Sequence, residues 1–295
     1  MTHIPVLLQE VIDGLSPKKG ETVLDATVGD GGHSEALCRA MQMGRVICLD
    51  ADTDAIARSK ERLNPPAGGC ACEFLFYNTN FRHLDLALAS LKIERVDRIL
   101  FDLGFSSTQL ESSNRGFSFQ RDEPLTMTFS TQGGELTARV IVNEWEEESI
   151  ATVIASYGED RHAKRIARAI VTERAAKPIT TTTALREVIE RAVPRRGTIH
   201  PATLTFQALR IAVNDEFRAL NEALPKAFDR LSSKGRMAVI SFHSMEDRAV
   251  KRFFKEKAQG ELGVLITKKP LIAGEQERVA NPRSRSAKMR IIEKV

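Results

Sequence analysis

Nothing in this chain of 295 residues runs apolar and uncharged for the length of a membrane span. Its opening, Met1-Thr2-His3-Ile4-Pro5, lacks the form of a secretion signal, and no membrane partner is expected. Cysteine is scarce. The four present (Cys38, Cys48, Cys70, Cys72) have no C-x-x-C spacing, which without a secretion signal predicts reduced thiols in a cytoplasm. No two of the six histidines stand at ligand spacing, so no metal is expected. Internal repeats and low-complexity tracts are also missing. The net charge of +4 is too small to imply nucleic acid by itself. What is there, 42% hydrophobic and 28% charged residues, suffices for a full core in one large domain or two ordinary ones.

The chain is organised around Thr22-Val23-Leu24-Asp25-Ala26-Thr27-Val28-Gly29-Asp30-Gly31-Gly32-His33-Ser34, read as a buried strand, a glycine-rich turn and a helix start. The glycines permit a tight turn and let a ligand approach bare backbone. A dinucleotide fingerprint fails, because Ser34 stands where its third glycine would be. Asp25 at the strand end, with Gly29, Gly31 and Gly32 just beyond, suits a ligand with a cationic amino-acid end, such as S-adenosylmethionine. An ordinary strand-to-helix turn is the plain alternative.

A helix is expected over 6–15, then helices over 34–43, 53–63 and 84–91 alternating with strands at 45–50, 73–77 and 96–102. That order predicts a parallel, doubly wound sheet with its ligand across the carboxyl ends of the strands. Asp25, Asp50 and Asp102 all fall there. Asp50, closing the second strand, is the expected ribose contact, while Asp52 better suits a helix cap. Phe81 lies where an adenine could be covered, and serves equally well as a core residue. From about 104 to 134 the pattern lapses. It is then helical over 139–156, 160–176 and 184–193, before a strand resumes at 235–242 behind a helix at 215–231; two more strands follow at 264–268 and 288–294. The expectation is an α/β Rossmann-like domain (1–125 and 206–295) with an inserted all-helical domain (126–205).

Asp102-Leu103-Gly104-Phe105 stands at the tip of strand four, where enzymes that methylate exocyclic amines place an acid, asparagine or serine before an aromatic. The amine lone pair is delocalised into the base. A carboxylate accepting one N–H and a backbone carbonyl (Leu103 or Gly104) accepting the other would pyramidalise the nitrogen and aim the pair. Methylation at ring carbon five would need a cysteine here, and there is none. The plain alternative for Asp102 is a turn cap. His243, after the resumed strand, either bonds the substrate base or holds its own loop. Between Arg161 and Arg196 stand ten Lys/Arg against three acids. Arg161, Lys164, Arg165 and Arg168 share one helical face, and Arg195 and Arg196 extend the excess, which favours a phosphate-binding surface over a merely solvated face.

Several stretches in this order resemble one family along nearly the whole chain: Gly29-Asp30-Gly31-Gly32-His33-Ser34, Asp102-Leu103-Gly104-x-Ser106-Ser107-x-Gln109-Leu110, Arg115-Gly116-Phe117-Ser118-Phe119, Tyr157-Gly158-Glu159, His200-Pro201-Ala202-Thr203, Ser241-Phe242-His243-Ser244-x-Glu246-Asp247-Arg248 and Asn281-Pro282-Arg283-x-Arg285-Ser286. They are similar to the bacterial small-subunit ribosomal RNA cytosine-N4 methyltransferases of the MraW/RsmH family. The resemblance implies a Rossmann-like methyltransferase with an inserted RNA domain. It also implies cofactor contacts from Gly31, Gly32, His33, Asp50, Phe81, Asp102 and Gln109. Its implied substrate is a decoding-region cytidine of the small subunit, methylated at N4 in the cytoplasm; a homodimer is compatible. Two departures stand out: Phe105 replaces a small aliphatic residue, and Pro124-Leu125-Thr126-Met127-Thr128-Phe129 lacks the family's acid and arginine. Those losses would suit a rival, an RNA-binding assembly factor with weakened catalysis. A DNA amino-methyltransferase is disfavoured by Leu103-Gly104.

Overall fold

The computed structural model describes residues 4–64, 70–104, 114–129, 136–194 and 200–295. The chain divides into two compact units, one of residues 1–104 and 217–295, the other of residues 105–216.

The first unit is built on a seven-stranded sheet of order β3-β2-β1-β4-β5-β7-β6. Strands β1 (Thr22–Asp25), β2 (Met43–Asp50), β3 (Ala71–Asn78), β4 (Val96–Asp102) and β5 (Leu231–Ser241) run parallel. The last two, β6 (Gly263–Leu265) and β7 (Lys288–Lys294), pair antiparallel to each other, and β7 pairs antiparallel to β5. The central strands are near-continuous apolar runs because both faces are covered, and successive side chains go to opposite cores. Leu24, Ile47, Ile99, Phe101, Met237 and Val239 join one core with α4 (Leu84–Ser90), α10 (Glu216–Arg230) and α11 (Ser244–Gln259). Val23, Val46, Cys48, Leu100, Ala238 and Ile240 join the other, with α1 (Leu8–Leu15), α2 (Gly32–Met41) and α3 (Thr53–Leu63). This is the Rossmann-like arrangement expected from the alternating pattern. It places Asp25, Asp50 and Asp102 at the carboxyl ends of β1, β2 and β4.

The second unit packs α5 (Ala138–Glu144), α6 (Glu147–Gly158), α7 (Ala163–Ala176), α8 (Thr182–Ala192) and α9 (Ala202–Asn214) around Ile141, Ile150, Ile154, Ile166, Ile170, Leu185, Ile189, Phe206 and Leu209. Its limits lie at 105 and 216 rather than 126 and 205. Phe117, Leu125 and Met127 are buried in the helical core on one side, and α9 belongs to that core on the other. Gly158 makes the last contact tight: a Cβ there would stand 2.6 Å from the Leu204 carbonyl oxygen.

Three expectations need correcting. The helix read over 139–156 is two helices, parted at Trp145 and Glu146, where Glu146 turns to extended backbone (φ −64°, ψ 150°). Arg161 precedes α7, so only Lys164, Arg165 and Arg168 share its exposed face. The thiols are not all reduced: Cys38 and Cys70 form a disulfide, leaving Cys48 and Cys72 free and buried. The fold puts the end of α2 against the start of β3, with the two Cα atoms 6.3 Å apart.

Candidate active site

The site grows from the turn after β1. Ala26 N–H donates to the Leu100 carbonyl and Val28 N–H to the Leu49 carbonyl, so the loop hangs between β2 and β4. Gly29 and Gly31 take left-handed φ values of 52° and 80°, where a side chain would be strained. Gly31 is also crowded, since a Cβ there would lie 3.1 Å from Leu63. The helix it introduces, α2, has no side-chain cap.

Each acid has a distinct setting. Asp25 is 1% exposed; it accepts from the Ser34 hydroxyl at 2.6 Å and from Thr27 N–H at 3.2 Å. Burial raises its pKa while those donors and His33 oppose the rise. Asp50 accepts from Gly29 N–H and Asp52 N–H, both at 2.9 Å, and so fixes the glycine loop against β2. Its two oxygens keep lone pairs for a ribose diol. Burial pushes its carboxyl up to about 6. Asp52 caps α3, accepting from Asp54 N–H at 3.1 Å, which separates the two roles as expected.

Asp102 is held by its backbone, whose N–H donates to Thr27 Oγ1 at 2.6 Å. Its carboxylate remains 21% exposed, with Oδ2 3.6 Å from His33 Nδ1. Among the described residues Oδ1 is buried without a hydrogen-bond partner. Burial drives its pKa up from 3.8 to about 7; Arg283 opposes the rise and Glu246 adds to it. The ring of His33, 6% exposed, has Nε2 3.0 Å from the Val6 carbonyl, an acceptor only. Nε2 therefore carries a proton, and in the neutral ring Nδ1 turns a lone pair toward Asp102. Burial lowers the His33 pKa, with the Asp25 charge resisting. At 3.6 Å the pair is beyond hydrogen-bond length, but an acid raised toward neutrality beside an imidazole held neutral can pass it a proton once the two close to contact. His33 was reached in the sequence only through the family resemblance; no local pattern marks it.

The other expected residues are less uniform. Phe81 sits in a 3-10 turn (Phe81–His83) capped by Asn80, half-buried, with its ring edge against Phe101 at 5.7 Å. His243 caps α11: its ring accepts from Glu246 N–H at 3.4 Å, and Glu246 accepts from Phe242 N–H at 2.9 Å. Nδ1 is thus committed to its own loop, while Nε2 lies 3.1 Å from Glu246 Oε1 and is buried without a hydrogen-bond partner among the described residues. On the second unit, Arg168 pairs with Glu147 at 3.5 Å, Arg186 with Glu190 at 3.9 Å and Arg191 with Glu173 at 2.6 Å, so the acids cancel more of the excess than the count suggests. Lys164 and Arg165 are exposed and make no ion pair among the described residues. Thr126, at the departure from the family pattern, donates its hydroxyl to the Arg115 carbonyl at 2.9 Å. Gln109, Arg195, Arg196 and Phe105 lie outside the described residues. No described helix is long and apolar enough to cross a membrane.

Asp50 with spare acceptors, the glycine loop, and an Asp102 carboxylate oxygen with no hydrogen-bond partner among the described residues fit a nucleoside carrying a cationic amino-acid end. The fold agrees with a solved structure, that of PH0851, at a TM-score of 0.52 and 14% identity, matching all of this chain against 47% of that one. The ribosomal RNA small subunit methyltransferase H of Heliobacterium modesticaldum is 44% identical over 313 residues, spanning 99% of this chain and 98% of that protein. The protein of the same name from Synechococcus elongatus is 47% identical over 296 residues, spanning 99% and 95%. The MraW methylase family matches across residues 1–295. From its first residue to its last, the chain belongs to the MraW methylase family.

Proposed function

We propose that the protein uses S-adenosylmethionine to methylate the N4 amine of a cytidine in the decoding region of small-subunit ribosomal RNA, in the cytoplasm, on the subunit or its RNA. The names of its relatives support ribosomal RNA as substrate. The position and the N4 amine rest on the motif resemblance and on the chemistry available at Asp102. The observation that carries the reading is the Asp102 carboxylate, 21% exposed at the tip of β4 with one oxygen that has no hydrogen-bond partner among the described residues.

Asp50 and the turn 29–33 would hold the donor, with Asp25 facing its ammonium end and Phe81 beside its adenine; Gln109 is included on the resemblance. When bound, the donor supplies an electrophilic methyl on a sulfonium. Asp102 accepts one N–H of the amine and orients its lone pair, while the Leu103 or Gly104 carbonyl takes the other N–H. Transfer would break the sulfur–methyl bond of the donor, leaving a neutral thioether, and the proton of the newly cationic nitrogen would pass to Asp102 or, through it, to His33 and solvent. His243 acts as a positioning residue through the α11 cap. Lys164 and Arg165, with Arg161, Arg168, Arg195 and Arg196, supply cations for the RNA backbone.

Incubation with labelled S-adenosylmethionine and small subunits, then digestion to nucleosides, should place label in N4-methylcytidine. Label in another nucleoside would overturn the N4 assignment. Particle binding with no label at all would favour the assembly-factor reading.

A further inference from the structure

We propose that Cys38, Cys70 and Cys72, once reduced, form a binding site for one thiophilic divalent cation of the zinc and cadmium class. Their three sulfur atoms lie within 4.8 Å of one another. Tetrahedral thiolate coordination at about 2.3 Å needs sulfurs about 3.8 Å apart, so side-chain rotation of a few tenths of an ångström to about 1.5 Å suffices. No large backbone movement is required, since Cys38 and Cys70 already stand with Cα atoms 6.3 Å apart. Cys38 occupies the last turn of α2, whose dipole presents its negative end there and favours a cation. Cys38 and Cys72 are buried, at 0% and 8% exposure, whereas Cys70 is half-buried. The cluster therefore has a closed side and an open side. Three protein sulfurs with an outward face leave the fourth position to solvent, the arrangement of an exchangeable site rather than a sealed structural one.

The third thiol separates this cluster from a simple disulfide. Cys72 Sγ points at the Cys38 carbonyl at 3.8 Å and belongs to no disulfide. A lone structural bridge between α2 and β3 would have no use for it. As a ligand it completes the set. The two states interconvert by balanced steps. A dithiol reductant gives two electrons and two protons to the Cys38–Cys70 disulfide and leaves as its own disulfide. The three thiols then release three protons as three metal–sulfur bonds form. In either state the end of α2 stays fastened to β3, once by a covalent bond and once by the cation.

The test uses the full chain. Protein reduced with a phosphine, desalted without oxygen, is titrated with cadmium while the sulfur-to-metal charge-transfer absorption is followed. Saturation at one cadmium per chain is expected, with displacement by zinc and loss of binding after reoxidation. Cys72→Ser, which keeps the disulfide and can be checked as folded by its oxidised thermal melt, should weaken binding at least about tenfold, since even a group that only supports a ligand is worth that much. Cys48→Ser, on a buried thiol outside the cluster, should bind as the parent does. No charge-transfer band in the reduced parent, equal binding in oxidised protein, or parent-like binding by Cys72→Ser would each overturn the proposal.

Discussion

The titration of Asp102 should govern the pH profile of methyl transfer. The ionised carboxylate is the stronger acceptor for the amine N–H and the only form that can take its proton, and burial places its pKa near 7 rather than 3.8. Under saturating donor and RNA, an acid of pKa 7 is about 9% ionised at pH 6 and about 91% at pH 8, so the single-turnover rate should climb about tenfold over that interval. An unshifted carboxylate would be fully ionised throughout, with a rate change well under twofold. Saturating donor is needed because Asp50, near 6, is still titrating at the lower edge of this window and would otherwise add its own limb. Asp102→Asn keeps the shape and one acceptor oxygen but removes the charge and the group that takes the proton, and should cut the rate by about 10²–10⁴ while leaving donor binding within a few-fold. It should also erase the limb near 7. A flat profile between pH 6 and 8 in the parent, or an unchanged limb in Asp102→Asn, would refute the assignment.

Other outcomes follow from the same geometry. Affinity for S-adenosylhomocysteine, measured by calorimetry, should fall as pH drops through about 6, and Asp50→Asn should weaken it at least about tenfold, the cost of a charge-assisted hydrogen bond. Because Asp50 and Asp102 bind protons more tightly when folded, the ligand-free protein should lose stability as pH rises from about 4 to about 7, by on the order of a few kcal/mol in urea melts. Gly31→Ala forces a side chain to φ 80° against Leu63 and should cost about 1–2 kcal/mol of stability. Lys164→Glu with Arg165→Glu should weaken RNA binding and lower the salt slope by roughly 1.5, whereas Arg191→Ala, already paired with Glu173, should change it little.

Where local pattern and tertiary environment agree, the sequence was legible. β4, α3 and β7 fall on the residues read for them, because an apolar run ending in an acid, an Asp cap before a periodic stretch, and a short buried run between charged residues each have one good solution. The break between α5 and α6 was not legible: Ile141, Val142 and Ile150 keep a helical period across it, and only packing separates the two helices. The helices 202–214 and 244–259 are not legible as elements, although each begins within a motif that carries the family resemblance. The disulfide could not be read from spacing, because its cysteines are 32 residues apart and meet only once α2 lies beside β3. In the site, the three acids were visible as strand ends. Their inequality was not, since it comes from burial and from which backbone N–H groups each acid accepts.

The order in which the sheet is assembled has a consequence during synthesis. β4 leaves the ribosome with β1 to β3, but its other neighbour, β5, follows only after residues 105–216 and α10 have been made. Throughout that interval a nascent four-stranded sheet carries a bare edge bearing Ile99 and Phe101, side chains destined for the core. Such an edge invites pairing with another chain, so a ribosome stalled within the insertion should be the point at which this protein depends most on a holding chaperone.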